Sequence, residues 1–133
     1  MTLRVELVAP DRVVWSGHAR MVIAKTLDGD VGVLTNHPPV IGILAEGSVV
    51  RVLDVEGSPP DGPSEVVAAV SSGFLSVADD RVSILARQAQ LGTQVDTAAV
   101  QASLEAAESA LAGDQPEAKY SRALLRAAGE QRS

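Results

Sequence analysis

The chain has 133 residues and a formal charge of −6 at pH 7, with 46% hydrophobic residues, 2% aromatic residues and no cysteine. That length holds one ordinary domain, or a small domain with an appendage. The acidic balance excludes a nucleic-acid backbone as the main partner, the lack of cysteine excludes disulfides and thiolate metal sites, and the apolar fraction excludes global disorder. With Trp15, Phe74 and Tyr120 the only aromatics, the core must be built from Val, Ile, Leu and Ala. Arg outnumbers Lys nine to two, a bias that resembles GC-rich bacterial genomes. No basic-then-apolar leader pattern opens the sequence, since Glu6 interrupts the early candidate. No apolar run approaches the ~18 residues that span a bilayer. The expectation is a soluble chain whose membrane association comes only through a partner.

Thr2–Val8 alternates, with Leu3, Val5 and Leu7 on one face and Arg4 and Glu6 on the other, the period of a half-buried strand. Pro10-Asp11 predicts a turn. Arg12–Thr26 is a longer β-rich stretch in which Gly17 either breaks the strand or marks a bulge. Asp28-Gly29 signals a hairpin before Val31–Leu34. Asn36-His37-Pro38-Pro39 must be a loop, because two prolines remove two backbone donors. Val40–Leu44 is an apolar run, and Glu46-Gly47 turns the chain. Ser48–Val55 and Glu65–Ser71 read as strands flanking a Gly-, Pro- and Ser-rich loop, Gly57–Ser64. Phe74–Ala78, the Asp79-Asp80 turn and Arg81–Ala86 form a last hairpin. Short strands spaced by turn residues predict a sandwich or barrel.

The period changes after Gly92. Thr93-Gln94 is a short linker, and the chain then becomes Ala-rich. Val100, Leu104, Ala107 and Leu111 follow a helix seam, and Asp96 stands at the N-cap or in the first turn. Gly113-Asp114-Gln115-Pro116 ends this helix and starts another over about Glu117–Ala128, with Tyr120, Leu124 and Ala127 on one side. No Lys or Arg occurs from Gln88 to Ala118, whereas Lys119, Arg122, Arg126 and Arg132 follow, so an acidic helix is expected beside a basic one. Exposed ion pairs contribute only ~0–1 kcal/mol each. Helices of ~12–15 residues are marginal alone, and an Ala seam holds less firmly than a Leu seam. The hairpin is therefore expected to be loosely held and able to undock.

Catalytic patterns are not found. His37 has no metal-ligand spacing to His18, the only other histidine, so a structural or interface role is expected for it. Ser71-Ser72-Gly73 reads as a strand-end turn rather than a nucleophile elbow. Gly29-Asp30-Val31-Gly32 is not a phosphate loop, since no Lys follows and no helix opens after it. The Asp79-Asp80 pair sits in a turn, where solvation is its ordinary role.

Gly29-Asp30-Val31-Gly32-Val33-Leu34-Thr35-Asn36-His37-Pro38-Pro39-Val40 resembles the G-x-x-G-[IV]-L-P-x-H-x-P signature of the epsilon subunit of bacterial F-type ATP synthase. Ser72-Gly73-Phe74-Leu75-Ser76-Val77 and Arg81-Val82-Ser83-Ile84-Leu85-Ala86 are similar to that family's G-G-F-[LV]-x-V…V-x-[IV]-L-A segment. The alternating opening strand and the late helical hairpin also match, so the resemblance covers essentially the whole chain. It implies a ten-stranded flattened β-sandwich over 1–92 and an antiparallel two-helix hairpin over 93–133. It further implies a non-catalytic central-stalk subunit that touches the gamma subunit, the c-ring and the alpha/beta catalytic head, peripheral at the cytoplasmic face of the cell membrane. In the family this subunit couples rotation to the head, and its hairpin can inhibit ATP hydrolysis. Asn36, His37, Pro38 and Phe74 are the expected interface residues.

Three positions and one loop depart from the family pattern. Thr35 replaces a Pro, Ser72 replaces a Gly, and the Gly57–Ser64 loop is longer. Some members also bind ATP on the folded hairpin through an I/L-D-x-x-R-A motif. Here Val95-Asp96-Thr97-Ala98-Ala99-Val100 keeps the acid and has Ala99 in place of the Arg, removing a charge-assisted phosphate contact. ATP remains a candidate regulatory ligand, with Asp96, Arg122 and Arg126 its contacts; no resident cofactor or metal is expected. A stand-alone nucleotide-sensing module is the alternative function, and the altered motif speaks against it. A small β-sandwich enzyme would need a paired His/Glu or His/Asp site, which the sequence lacks.

Overall fold

A computed structural model of the protein describes residues 2–57, 64–109 and 116–132. Ten strands come first: β1 (Leu3–Ala9), β2 (Arg12–Ala19), β3 (Met21–Thr26), β4 (Gly29–Val33), β5 (Val40–Ile43), β6 (Ser48–Leu53), β7 (Val66–Val70), β8 (Gly73–Ala78), β9 (Arg81–Ala86) and β10 (Ala89–Leu91). A 3-10 turn (Gly92–Gln94) leads to helices α1 (Thr97–Ser109) and α2 (Pro116–Arg132). The strands form two five-stranded sheets, one in the order β2-β1-β9-β8-β5 and the other in the order β10-β7-β6-β3-β4. Only the β1–β9 pair is parallel among the paired strands.

The two sheets face each other across an aliphatic core. Leu3, Val5, Val22, Val33, Val70, Leu75 and Ile84 are fully buried. The alternation read in the first strand is realised: Leu3, Val5, Leu7 and Ala9 point inward, while Arg4 is exposed. All three aromatics stand off this core, Trp15 at its margin, Tyr120 on α2 and Phe74 on an outer face.

Hydrogen bonds close both flanks of the sandwich. On one side Thr26 bridges Leu44, and Ala45 N–H donates to the Lys25 carbonyl at 2.8 Å. On the other, the Arg12 guanidinium donates to the Ala89 carbonyl at 3.0 Å, tying β2 to β10. Tying the flanks together shields strand edges that would otherwise offer free backbone groups.

Two expectations are corrected. The break in Arg12–Thr26 falls at Arg20, where the chain passes from one sheet to the other, and not at Gly17. The bulge lies at Val14, since Leu7 pairs Trp15 while Val8 pairs Val13. Gly17 sits inside β2 opposite Val5, and a Cβ there would lie 2.9 Å from the Trp15 ring, so its role is to make room for the indole. The second helix also runs past Ala128 and through Gly129 to Arg132. The turn expected over Gly113–Gln115 lies outside the described residues, as do Leu111, the side chain of Ala107 and most of the Gly57–Ser64 loop. The same is true of the side chains of Glu108, Asp114, Glu117 and Arg132, on which the expected helix-to-helix charge pairing largely depends.

The turns follow their residue chemistry. Asp79 and Asp80 both have positive φ, 52° and 60°, the two-residue geometry that suits a tight antiparallel hairpin. Gly29 has φ 119° and closes the β3–β4 hairpin, where the Thr26 hydroxyl donates to its carbonyl at 2.8 Å.

Candidate functional site

The outer faces of the two sheets are treated differently. Over the β10-β7-β6-β3-β4 sheet lies α2. Its residues Ala123 and Ala127 are fully buried, and with Leu124 and Ala128 they pack on Val67 and Ala69 of β7, beside Val49 of β6 and Val95. Strand β7 is thus apolar on both sides, with Ala68 and Val70 facing the sandwich core and Val67 and Ala69 facing the helix. Helix α1 packs mainly on α2 rather than on a strand. Its seam residues Val100 and Leu104 are half-buried and buried respectively. Near the far end of α2, Glu130 lies close enough to Arg51 of β6 to act on it electrostatically. Arg51 is also bonded to Glu65 at 2.6 Å. The Glu65 hydrogen bond raises the Arg51 pKa, burial opposes it, and the charges of Glu65 and Glu130 add to it.

The outer face of the other sheet carries no covering element among the described residues. Cross-strand register places Val13 beside Val8, Val8 beside Leu85, Leu85 beside Phe74, and Phe74 beside Ile43. These five residues make one apolar band that crosses all five strands. Val13 is 61% exposed, Ile43 60%, Phe74 47% and Leu85 41%. A shallow depression of about 290 Å³ runs along it between Val8, Pro10 and Leu85. Four residues along β1, about 13 Å away, the same face becomes charged, with Arg4 paired to Glu6 at 3.5 Å and standing beside Arg81. A contiguous exposed apolar band with a charged margin is the composition of a protein-docking face.

Asn36, His37 and Pro38 lie elsewhere. Asn36 has φ 66°, and its N–H donates to the Asp80 carboxylate at 2.6 Å, which pins the loop to the β8–β9 turn. His37 N–H donates to the Leu34 carbonyl at 3.2 Å. The imidazole Nδ1 lies 2.7 Å from the Pro38 carbonyl, which can only accept, so Nδ1 carries the proton. Phe74 is at the opposite end of β8 from Asp79, five residues or about 17 Å away. The four expected interface residues therefore form two separate patches rather than one.

Of the nucleotide-site candidates, Asp96 stands just before α1, and Val95 beside it packs with Ala123, Leu124 and Ala127 of α2. The Asp96 carboxylate caps α1, accepting from Ala99 N–H at 3.1 Å. Arg122 and Arg126 stand one turn apart on α2, half-buried and exposed. None of the described clefts is lined by these three. A cleft of about 520 Å³ is lined instead by Pro10, Asp11, Arg12, Arg87, Gln90 and Tyr120. No cluster of three or more metal-ligating side chains occurs among the described residues, and no helix there is long and apolar enough to cross a membrane.

Sequence reasoning missed Val8, Val13, Ile43 and Leu85 on the bare face, and Val67 and Ala69 under the helix. The signals were present as broken alternation. Val66–Val70 and Val40–Leu44 are unbroken apolar runs, which a strand with one wet face does not need.

The sequence and the fold match known proteins. A family model described as ATP synthase, Delta/Epsilon chain, beta-sandwich domain matches residues 2–92. The chain is 49% identical over 113 residues to the ATP synthase epsilon chain of Thermobifida fusca, covering 84% of this chain and 79% of that one. It is 45% identical over 107 residues to that of Streptomyces griseus, covering 80% and 81%. It is 48% identical over 91 residues to that of Frankia casuarinae, covering 68% and 99%. Among solved structures, a chain of the Euglena gracilis mitochondrial ATP synthase (OSCP/F1/c-ring) shares the fold with a TM-score of 0.66 at 21% identity, covering 93% of this chain and 75% of that one. A chain of the Tetrahymena thermophila central stalk and c-ring does so with a TM-score of 0.54 at 12% identity, covering 83% and 91%. The chain belongs to the ATP synthase delta/epsilon family as an epsilon chain, a non-catalytic subunit of that complex.

Proposed function

We propose that this subunit couples rotation of the gamma subunit and c-ring to the alpha/beta catalytic head, and controls ATP hydrolysis through its C-terminal helices. Residues 1–92 act as the stalk domain and 93–133 as the movable part. The observation that carries this reading is the asymmetry of the two outer faces. One carries an exposed apolar band with no cover among the described residues, and the other is covered by a helix seated on alanine methyls. The bare band, which includes Phe74, is the gamma contact. The Asn36–Pro39 loop, rigidified by its prolines and by Asp80, is the contact with the ring. The chain works at the cytoplasmic face of the bacterial membrane, held there by the complex.

The helices act by differential binding. They pack on the sandwich in one state and on the head in another, and the populations follow the free-energy difference between those contacts. A seam of Ala methyls, worth ~0.8 kcal/mol per buried carbon, is shallow enough for a competing surface to displace.

Truncation after Gly92 tests the reading. A folded sandwich that still assembles with gamma, in a complex with altered ATP hydrolysis, is the expected result. Unchanged hydrolysis in the truncated complex counts against the inhibitory role. Pull-down without recovery of gamma counts against stalk membership.

A further inference from the structure

We infer that the Glu46–Gly47 turn is the latch for docked α2, and that Gly47 is the positioning residue that lets the helix seat. This rests on the proposed mobility of the helices and identifies where that mobility is set. Gly47 has φ 63° and lies directly under α2. A Cβ at this position would come 2.4 Å from the Lys119 carbonyl carbon, 2.5 Å from its oxygen and 2.6 Å from its Cβ. These are atoms of the helix itself, not the tip of a flexible side chain, so they cannot swing aside.

The turn cannot yield either. Ala45 N–H is bonded to Lys25 of β3 at 2.8 Å, Leu44 N–H to Gly73 at the start of β8 at 2.9 Å, and the Ser48 hydroxyl to the Ala45 carbonyl at 2.7 Å. The turn is therefore anchored to both sheets, and any added side chain displaces the helix. Lys119 is near the head of α2. A shift there propagates to Ala123 and Ala127, whose methyls are the helix's grip on β7. Dispersion contacts lose a quarter to a half of their strength over a gap of ~0.5–1 Å. The helix seats on its methyls only because residue 47 has no side chain.

Hydrogen exchange on the full-length isolated chain tests this. In Gly47→Ala, the amides of Ala123–Ala128 should exchange about tenfold faster or more, because α2 without its seat is marginal as a free helix. Two controls separate the causes. Gly57→Ala carries a similar positive φ, 84°, with nothing within 4 Å of the new Cβ. Lys119→Ala trims the side chain and leaves the backbone contact intact. Both should stay within about threefold of wild type.

The latch is overturned if Gly47→Ala stays within that range, or if Gly57→Ala matches it, which would make backbone strain the cause. Equal loss of protection in β1 and β9 also overturns it, since the turn would then serve the sandwich and not the helix. Faster α2 exchange with wild-type ATP hydrolysis in the assembled complex leaves the latch standing and overturns the regulatory reading instead.

Discussion

Asp96 carries two roles that chemistry can separate. Its carboxylate caps α1 through Ala99 N–H, and the same group is the acid retained from the nucleotide motif. Asp96→Ala should cost about 1 kcal/mol, the usual loss of an N-cap, whereas Asp96→Asn should keep most of it. Urea unfolding of the full chain measures both. If ATP binds this chain, calorimetry should separate Asp96→Asn from wild type even though stability does not. At Phe74 and Leu85 the main expected effect is on binding. Both are partly exposed cross-strand neighbours inside strands, so aspartate there should cost about 1–2 kcal/mol, the loss of a cross-strand pair and of strand propensity, and leave the sandwich folded. Binding to gamma should weaken tenfold or more, because a charge would be buried in an apolar contact. Assembly at wild-type affinity would remove the band from the interface.

At the scale of elements, β7 and α2 explain each other. A strand apolar on both faces needs a cover, and a 17-residue helix with buried alanines supplies it. Tyr120 gives this contact a spectroscopic handle, being the only tyrosine in the chain. Burial against the sandwich raises its pKa above the ordinary value of 10.0, and the nearby Arg12 charge partly offsets the shift. A folded-state pKa above the unfolded one means the folded state holds the proton more tightly. That stabilisation is complete below about pH 10 and is lost as pH rises through the folded value. The phenol absorbance of the intact chain should therefore titrate above pH 10, and the helix should loosen over the same range. In Gly47→Ala the titration should move back toward 10. A tyrosine that titrates at its ordinary pKa in the wild-type chain would show that α2 does not shield it.

For the molecule as a whole, the apolar surface is unevenly distributed: one sheet's outer face lies under α2, and the other leaves Val13, Ile43, Phe74 and Leu85 exposed. The sequence alone determined a run of short strands followed by two helices, because alternation, turn chemistry and the change to helical period after Gly92 are local properties; the count of ten strands came from the family resemblance, and no local pattern marked β10. It also carried the family motifs around Gly29–Val40 and Ser72–Ala86, and the Asp96 cap. Strand faces were less legible. Local pattern can say that Val67 or Leu85 breaks alternation, but not whether the exposed side meets a helix of the same chain or a different subunit. Gly17 shows the same limit: a strand-breaking residue by composition, it stays in β2 because Trp15 fills its space. Only the tertiary structure decided that α2 covers β7, that Phe74 and the Asn36–Pro39 loop lie at opposite ends of β8, and that Gly47 touches Lys119. Each depends on residues far apart in the chain, brought together by the packing of two sheets and a helix, and no local period encodes such distances.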